Sequence, residues 1–384
     1  MRIDAPWLSA APVQRALGRL TGAGHEAFVV GGCVRNALLG VPVADVDIAT
    51  SARPEAVMAL AGDGIKAVPT GIEHGTVTLV IDGQPLEVTT YRADVETDGR
   101  RAVVRFSDTL EEDAARRDFT MNALYADASG EVHDPLGGLP DLLARRVRFV
   151  GDAATRLAED YLRALRFFRF AAWYGDPDEG LDAEALAAIA ADLDGLDRLS
   201  RERVGHEMRR LLAAPDPAPA VAAMAQTGVL ARLLPGTEAR VLPVLAHLEE
   251  MAGLAPDPIR RLAALGPVSG DDLRLSRAEA RQLEELRGGI GSAEGIAEIG
   301  YRHGAATARD VALLRAAVFE TPLDPGALRA ADQGAGARFP LAAKDLMPAL
   351  EGAALGAELR RLEAAWIASG FTLDRAGLLA MARR

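Results

Sequence analysis

Val29-Val30-Gly31-Gly32-Cys33-Val34-Arg35-Asn36-Ala37-Leu38-Leu39-Gly40, followed after four residues by Asp45-Val46-Asp47-Ile48-Ala49-Thr50, is the stretch on which the fold turns. A β-like run ends in two glycines and passes straight into a helical pattern. Glycine at such a junction lets backbone approach a ligand closely, and a helix N-terminus offers unpaired N–H groups to phosphate. Arg35, one turn in, is placed to add a cation to a triphosphate. A glycine pair is also a common plain turn, so Gly31, Gly32 and Arg35 gain weight only from the acidic residues downstream. Asp45 and Asp47 stand at i and i+2. On a strand that spacing puts both carboxylates on one face and Val46 and Ile48 on the other. Two like charges so close are unfavourable unless a cation sits between them. Magnesium takes carboxylate and phosphate oxygens, and paired ions activate a hydroxyl while stabilising a leaving pyrophosphate. A lone Asp-x-Asp usually marks an exposed turn; the glycine turn just upstream reverses that reading.

Working outward, Glu87 in Pro85-Leu86-Glu87-Val88-Thr89-Thr90-Tyr91-Arg92 lies in a later β-like run, where its side chain can converge on the pair as a third catalytic carboxylate. The plain alternative is a cross-strand surface glutamate. Next, Arg116-Arg117-Asp118-Phe119-Thr120-Met121-Asn122-Ala123 offers Arg117 to a triphosphate and Asp118 to ribose hydroxyls, unless the charges form only a helix-start ion pair.

Glu159-Asp160-Tyr161-Leu162-Arg163-Ala164-Leu165-Arg166-Phe167-Phe168-Arg169-Phe170 reads as one continuous helix. On it Asp160 and Arg163 sit side by side, one accepting hydrogen bonds and the other donating them. Cytosine and adenine present an acceptor beside an amino donor; uracil and guanine reverse that order. Such a pair accepts C and A and refuses U and G, because refusal leaves buried polar groups unpaired, worth roughly four orders of magnitude in specificity. Arg166 and Arg169 extend the cationic side towards phosphates or stack on the base. The plain alternative is an intrahelical salt bridge, worth only ~0.3–0.5 kcal/mol when exposed.

The chain of 384 residues has room for two to four structural units. No run of about 18 apolar residues suggests a membrane span, and Met1–Ser9, with Asp4 and Pro6, lacks a basic-then-apolar leader pattern. Cys33 is the single cysteine, which excludes an intramolecular disulfide framework and suits a reducing, cytoplasmic setting. A net charge of −12 argues against a surface coated for nucleic acid, yet seven arginines crowd between Asp141 and Phe170. The first 150 residues or so carry β-like runs at Ala27–Val30, Val46–Thr50, Thr76–Ile81 and Leu86–Tyr91. From about Asp141 the periodicity turns helical, with breaks near Gly175–Gly180, Pro215–Pro219, Leu234–Gly236 and Pro322–Pro325. The only His-Asp dipeptide, His133-Asp134, lies in the mixed part, so no appended metal-dependent phosphohydrolase domain is expected.

Taken together these residues resemble the class II tRNA nucleotidyltransferases, the CCA-adding enzymes of the polymerase-β superfamily, over roughly Val29 to Leu212. Lys344–Leu346 and Trp366–Ala368 also look like bacterial members. The resemblance implies an α+β chain: a polymerase-β-like, poly(A) polymerase-like nucleotidyltransferase head (1–138), then an all-helical neck (139–232) and a helical body and tail (233–384), in a seahorse-like outline. It implies Mg2+ at Asp45 and Asp47, and incoming nucleotide at Gly32, Arg35, Arg117, Asp160, Arg163, Arg166 and Arg169. The substrates implied are CTP, ATP and the acceptor arm and 3′ end of tRNA, with no membrane and no obligate protein partner. Asp94–Val103 falls where the family has a flexible loop needed to switch from C to A addition. The chain departs from the family at Asn36, where Asp is usual. The rival readings are a poly(A) polymerase, disfavoured by an end at Ala382-Arg383-Arg384 without a long basic tail, CC-only or A-only addition, and a non-catalytic tRNA-binding protein.

Overall fold

Residues 1–97 and 102–382 are described by a computed structural model. They fall into two units, Met1–Pro235 and Gly236–Arg384.

The first unit is built on strands β1 (Ala27–Val30), β2 (Asp47–Thr50), β3 (Ile65–Gly71), β4 (Thr76–Ile81), β5 (Gln84–Thr90), β6 (Arg92–Thr97), β7 (Ala102–Phe106), β8 (Tyr125–Ala126) and β9 (Val132–His133). Seven of them form one sheet in the order β3-β4-β5-β2-β1-β8-β9. The β2–β5 pair is parallel and its neighbours are antiparallel, so the sheet is mixed. Its inner positions carry the β-branched and large apolar side chains: Val29, Ile48, Val77, Leu79, Ile81, Leu86 and Val88 are fully buried. The β-like runs read from sequence match β1, β2, β4 and β5. β3, with its partly exposed lysine- and threonine-bearing pattern, and the two-residue β8 and β9 gave no such signal. β6 and β7 pair with each other outside the main sheet. They take in both ends of the Asp94–Val103 segment, of which residues 98–101 lie outside the described residues.

Helices follow from Leu139 onward. The helix Leu162–Tyr174 buries Phe167, Phe168 and Phe170. Phe119, from the loop before β8, stacks with Phe149, Phe167 and Phe170 at centroid distances of 4.9–6.4 Å. This aromatic layer fixes the helix to the sheet side that carries the glycine turn.

The second unit is helical. The helices Leu242–Met251, Pro258–Leu265 and Ala305–Val318 meet around a buried ionic group in which Arg260 bonds Glu249 and Asp310 at 2.7 Å each, and Arg261 bonds Glu249 at 2.7 Å. Further on, helices Ile296–His303 and Pro325–Gly336 approach so closely that a Cβ on Gly334 would strike the Ala297 carbonyl oxygen at 1.8 Å. Only glycine allows that contact. Trp366, Phe371, Phe339 and Tyr301 then close an aromatic cluster with Leu362 and Leu378. No helix among the described residues is long and apolar enough to cross a membrane.

Candidate functional site

β1 ends at Val30, and Gly31 turns the chain with φ +71° and ψ −117° into the helix Gly32–Leu38. The Gly31 N–H donates to the Leu124 carbonyl at 3.1 Å, so the turn is tied to the strand that follows the RRDFTMNA stretch. A Cβ on Gly31 would meet Arg117 Nη1 at 3.3 Å. The positive φ calls for glycine here, and a guanidinium lies close against the turn.

Beside this turn β2 starts at Asp47. Parallel pairing sets Asp47 opposite Glu87 and Ile48 opposite Val88. The two aliphatic residues point into the core, and both acids stand exposed on the other side. Asp45 is exposed as well, in the approach two residues ahead, where the expected strand has not yet begun. The Asp47 carboxyl is pushed above the ordinary aspartate range, first by desolvation, then by Glu87 and Asp45, with Arg117 opposing. Like charge thus gathers at the end of β2. The described residues contain no cluster of three or more His, Cys, Asp or Glu already closed enough to hold a metal ion. The donor set is nonetheless all oxygen and in net repulsion, which suits a hard cation shared with phosphate oxygens.

Arg117 is held from behind. Its Nη2 donates to Asp113 Oδ2 at 3.0 Å and its Nε to the Tyr125 hydroxyl at 3.0 Å. Tyr125 in turn donates to the same Asp113 oxygen at 2.8 Å, and Arg116 Nε donates to the other at 2.9 Å. Asp113 is 1% exposed, and although burial pushes its carboxyl up, Arg117, Arg116 and Tyr125 hold it below the ordinary range.

Two expected ligands have other work. Arg35 is buried, with Nε and Nη2 on Asn36 Oδ1 at 3.1 and 2.8 Å. Its Nη1 donates to Asn122 Oδ1 at 2.6 Å and Nη2 to the Tyr174 hydroxyl at 2.8 Å, with Cζ 4.0 Å from the Tyr174 ring centroid. Asp118 is likewise engaged at both oxygens. Oδ1 accepts from the Phe119 N–H and Asn122 Nδ2 at 2.9 Å each, and Oδ2 accepts from Arg166 Nε at 2.7 Å. In this structure Arg35 is a strut to the Leu162–Tyr174 helix rather than an open cation, and Asp118 anchors Arg166 rather than presenting a free acceptor to a ribose. The physical reason is the same for both: a buried charge must be hydrogen-bonded, and the nearest partners lie within the fold.

The continuous helix expected across Asp160 is also corrected. One helix ends at Glu159, Asp160 is extended with φ −155° and ψ 105°, and the next helix opens at Leu162. Asp160 Oδ1 accepts from the Leu162 N–H at 3.1 Å and Oδ2 from Arg203 Nη2 at 2.6 Å. Arg163 bonds Glu159 and the carbonyl oxygens of Arg156 and Arg116, the latter two at 3.0 and 3.2 Å. The Arg163 N–H donates to the Asp160 carbonyl at 2.9 Å, but the two side chains are not paired to each other. The break satisfies a helix start that offers its own N–H groups to a short acidic side chain. Arg169 is buried, with Nε on Glu207 at 2.6 Å, and is thus a packed ion pair rather than an exposed phosphate contact. Arg166 remains one-third exposed at its side chain.

Sequence reasoning missed Asp113, Asn122, Tyr125, Tyr174, Arg203 and Glu207. Asp113 and Arg117 are four apart at the end of the Leu110–Ala115 helix, and that spacing was a usable signal. Tyr125, Tyr174, Arg203 and Glu207 reach the site through tertiary contacts that no local spacing announces.

Two family descriptions match the chain: "Poly A polymerase head domain" over residues 27–148 and "Probable RNA and SrmB- binding site of polymerase A" over residues 180–240. The CCA-adding enzyme of Geobacillus thermodenitrificans is 44% identical over 230 residues, 59% of this chain and 55% of that enzyme. The mitochondrial CCA tRNA nucleotidyltransferase 1 of Mus musculus is 33% identical over 389 residues, 94% of this chain and 87% of the mouse protein. Among solved structures, the Bacillus stearothermophilus CCA-adding enzyme in complex with CTP superposes with a TM-score of 0.74 at 30% identity, covering 95% of this chain and 94% of that one. The Thermotoga maritima CCA-adding enzyme complexed with tRNA shares the fold, with a TM-score of 0.71 at 19% identity over 99% of this chain and 95% of that one.

Proposed function

The chain belongs to the CCA-adding tRNA nucleotidyltransferases, and we propose that it adds C, C and A to the 3′ end of tRNA without a nucleic-acid template, taking CTP and ATP and releasing pyrophosphate. The observation that carries this reading is the register of β2 with β5, which sets Asp47 beside Glu87 at the foot of the Gly31 turn. A glycine turn for phosphate next to uncompensated carboxylates is the arrangement nucleotidyl transfer needs.

Asp45 and Asp47 would hold Mg2+ in this reading, with Glu87 beside them as a third catalytic carboxylate; when bound, the ion would make the 3′-hydroxyl more acidic and offset charge on the leaving pyrophosphate. The turn at Gly31 and Gly32 brings backbone close to the triphosphate, and Arg117 adds a fixed cation. The terminal tRNA oxygen attacks the α-phosphorus in line, and the bond to the β-phosphate bridging oxygen breaks. Base choice falls to Asp160 and Arg163. Support comes from a carboxylate 29% exposed at its side chain in a frame of arginines held by Glu159, Asp118 and Glu207. In the free protein Asp160 is bonded to Arg203 and Arg163 to Glu159, so an entering base takes over at least one of these bonds. The head of this reading is 1–138, the neck 139–232, and the body and tail 233–384, which hold the acceptor arm by shape and backbone contacts, since A-form RNA hides its base edges. The setting proposed is the cytoplasm.

The test is end-extension of a tRNA lacking its CCA, with each nucleotide alone and then with CTP plus ATP, read at single-nucleotide resolution. Growth by C-C-A that stops is the expected result. A long A ladder makes the protein a poly(A) polymerase, arrest after C-C restricts it to CC addition, and no extension leaves only binding. For the base-reading pair, Asp160→Asn and Arg163→Gln are expected to admit UTP or GTP; unchanged CTP/ATP preference in both refutes it.

A further inference from the structure

We infer that Tyr125 is a positioning residue for the triphosphate site, acting with Asp113 to aim Arg117 at the Gly31 turn. β8 pairs with β1 so that Tyr125 lies opposite Val30, the residue immediately before Gly31. The Tyr125 hydroxyl accepts from Arg117 Nε at 3.0 Å and donates to Asp113 Oδ2 at 2.8 Å. That same carboxylate oxygen takes Arg117 Nη2 at 3.0 Å. Three groups thus close a ring of hydrogen bonds around one edge of the guanidinium, and Arg117 Cζ lies 5.1 Å from the Tyr125 ring centroid. A planar guanidinium gripped along its Nε–Nη2 edge has little freedom left. The opposite nitrogen, Nη1, is the atom that lies 3.3 Å from where a Cβ on Gly31 would sit.

The arrangement separates two duties. Asp113 supplies the counter-charge, and it is buried enough that the pair is hardly screened by solvent. Tyr125 supplies direction: without its hydroxyl the guanidinium keeps its charge partner but can pivot about the Nη2–Asp113 bond. A pivoting cation meets a triphosphate less often in the right pose, so nucleotide binding weakens while the reacting centre is untouched.

The inference rests on the reading of Arg117 as a triphosphate ligand, and a double-mutant cycle distinguishes the two. Tyr125→Phe keeps the ring and removes the hydroxyl. The expected result is a KM for both CTP and ATP raised about tenfold, the scale of one hydrogen bond to a charged group. The kcat stays within about twofold, because uniform binding and not transition-state chemistry is lost. The C-to-A preference does not change. In an Arg117→Ala background the same substitution is expected to have no further effect on KM. Should Tyr125→Phe melt too low to assay under standard conditions, the same cycle is run below its melting point, where the KM ratio of Tyr125→Phe to wild type carries the same expectation. A wild-type KM in Tyr125→Phe overturns the inference, as does an equal KM rise in the Arg117→Ala background. If Arg117→Ala itself leaves KM unchanged, the ligand reading of Arg117 falls, and the role of Tyr125 falls with it.

Discussion

Two groups of carboxylates in this protein solve opposite problems. In the first unit Asp45, Asp47 and Glu87 gather at an exposed strand end, where Arg117 offsets only part of their like charge. In the second, Glu249 and Asp310 are buried yet each meets a guanidinium, from Arg260 or Arg261, at 2.7 Å. Asp47 and Asp310 both have carboxyls pushed above the ordinary range, and in both desolvation is the leading cause. The second influence differs: Glu87 pushes Asp47 further up, whereas Arg260 draws Asp310 back. One cluster is short of a cation and the other contains its own. Charge imbalance held in place by a rigid sheet marks a site for a ligand; charge balance inside a helical core marks a joint.

The largest expected effect breaks the first cluster. Asp47→Asn is expected to lower CCA addition by about a thousandfold or more, since metal-assisted charge stabilisation is worth several kcal/mol. Its melting temperature in EDTA is expected to hold or rise, because a repulsive charge has been removed. Steady-state extension and calorimetry on the same preparation check both halves. A variant that keeps its turnover, or that unfolds, would place Asp47 among the structural acids.

Glu249→Gln is the mirror experiment. It leaves Arg260 and Arg261 facing an uncharged amide, and breaking a buried pair from one side typically costs about 3–5 kcal/mol. The unfolding midpoint in urea is expected to fall accordingly while the KM for CTP stays at its wild-type value. A midpoint that does not move would mean the joint is not held by charge.

Acid titration sharpens the comparison within the first unit. Asp118 sits between the two kinds: buried and balanced by Arg166, yet next to the site. Burial pushes its carboxyl up, but Arg166, Asn122 and the Phe119 N–H together hold it below the ordinary range. A folded pKa lowered in this way contributes stability that is present above the unfolded value, about 3.9, and is lost as pH falls through the folded one. Asp118→Asn is therefore expected to be less stable than wild type at pH 7, by about 1–3 kcal/mol for a charged hydrogen bond. The gap should begin to narrow as the pH drops below about 4, where the unfolded chain takes up the proton, and close once the folded carboxyl is protonated as well. Urea midpoints at a series of pH values read this directly, and a gap independent of pH would assign the loss to shape rather than to charge.

How much of this was legible in the sequence depends on the range of the interactions. The strands at Ala27–Val30 and Thr76–Ile81, the Gly31 turn and the outward face of Asp47 rest on period-two alternation and glycine punctuation, which act within a few residues, whereas the register that sets Glu87 beside Asp47 does not. The seam between Glu159 and Leu162 was not legible, because Leu162–Phe170 is helical in pattern and nothing in Asp160 itself forces a stop. At the break Asp160 accepts from the Leu162 N–H and from Arg203, 43 residues away, and the latter contact has no local signal. Arg35, Asp118 and Arg169 were recognised as charged residues near the chemistry, but their partners within the fold were not. A charge in sequence announces that it needs a counterpart; only the fold says whether that counterpart is a ligand or Tyr174, Arg166 and Glu207.

The smallest expected effect concerns Asn36, where the family usually has Asp. Here Oδ1 accepts both Arg35 bonds, and Nδ2 donates to the Pro42 carbonyl at 2.9 Å, three residues before Asp45. Asn36→Asp turns the Arg35 contacts into charge-assisted ones, which are about twice as strong as neutral ones. It also removes the only donor and sets a carboxylate against the Pro42 oxygen. The first change favours the fold and the second loosens the loop that delivers Asp45. Net stability is expected to rise by no more than about 1 kcal/mol, since an exposed bond is lost where a buried one is strengthened. The looser loop and the added negative charge both act against a triphosphate, so KM for CTP and ATP is expected to rise modestly with kcat little changed. Because the loop ends at Asp45, a proposed metal ligand, the Mg2+ concentration needed for half-maximal rate is the more telling quantity. A higher Mg2+ requirement ties Asn36 to the delivery of Asp45, while an unchanged one confines its role to bracing Arg35 within the frame.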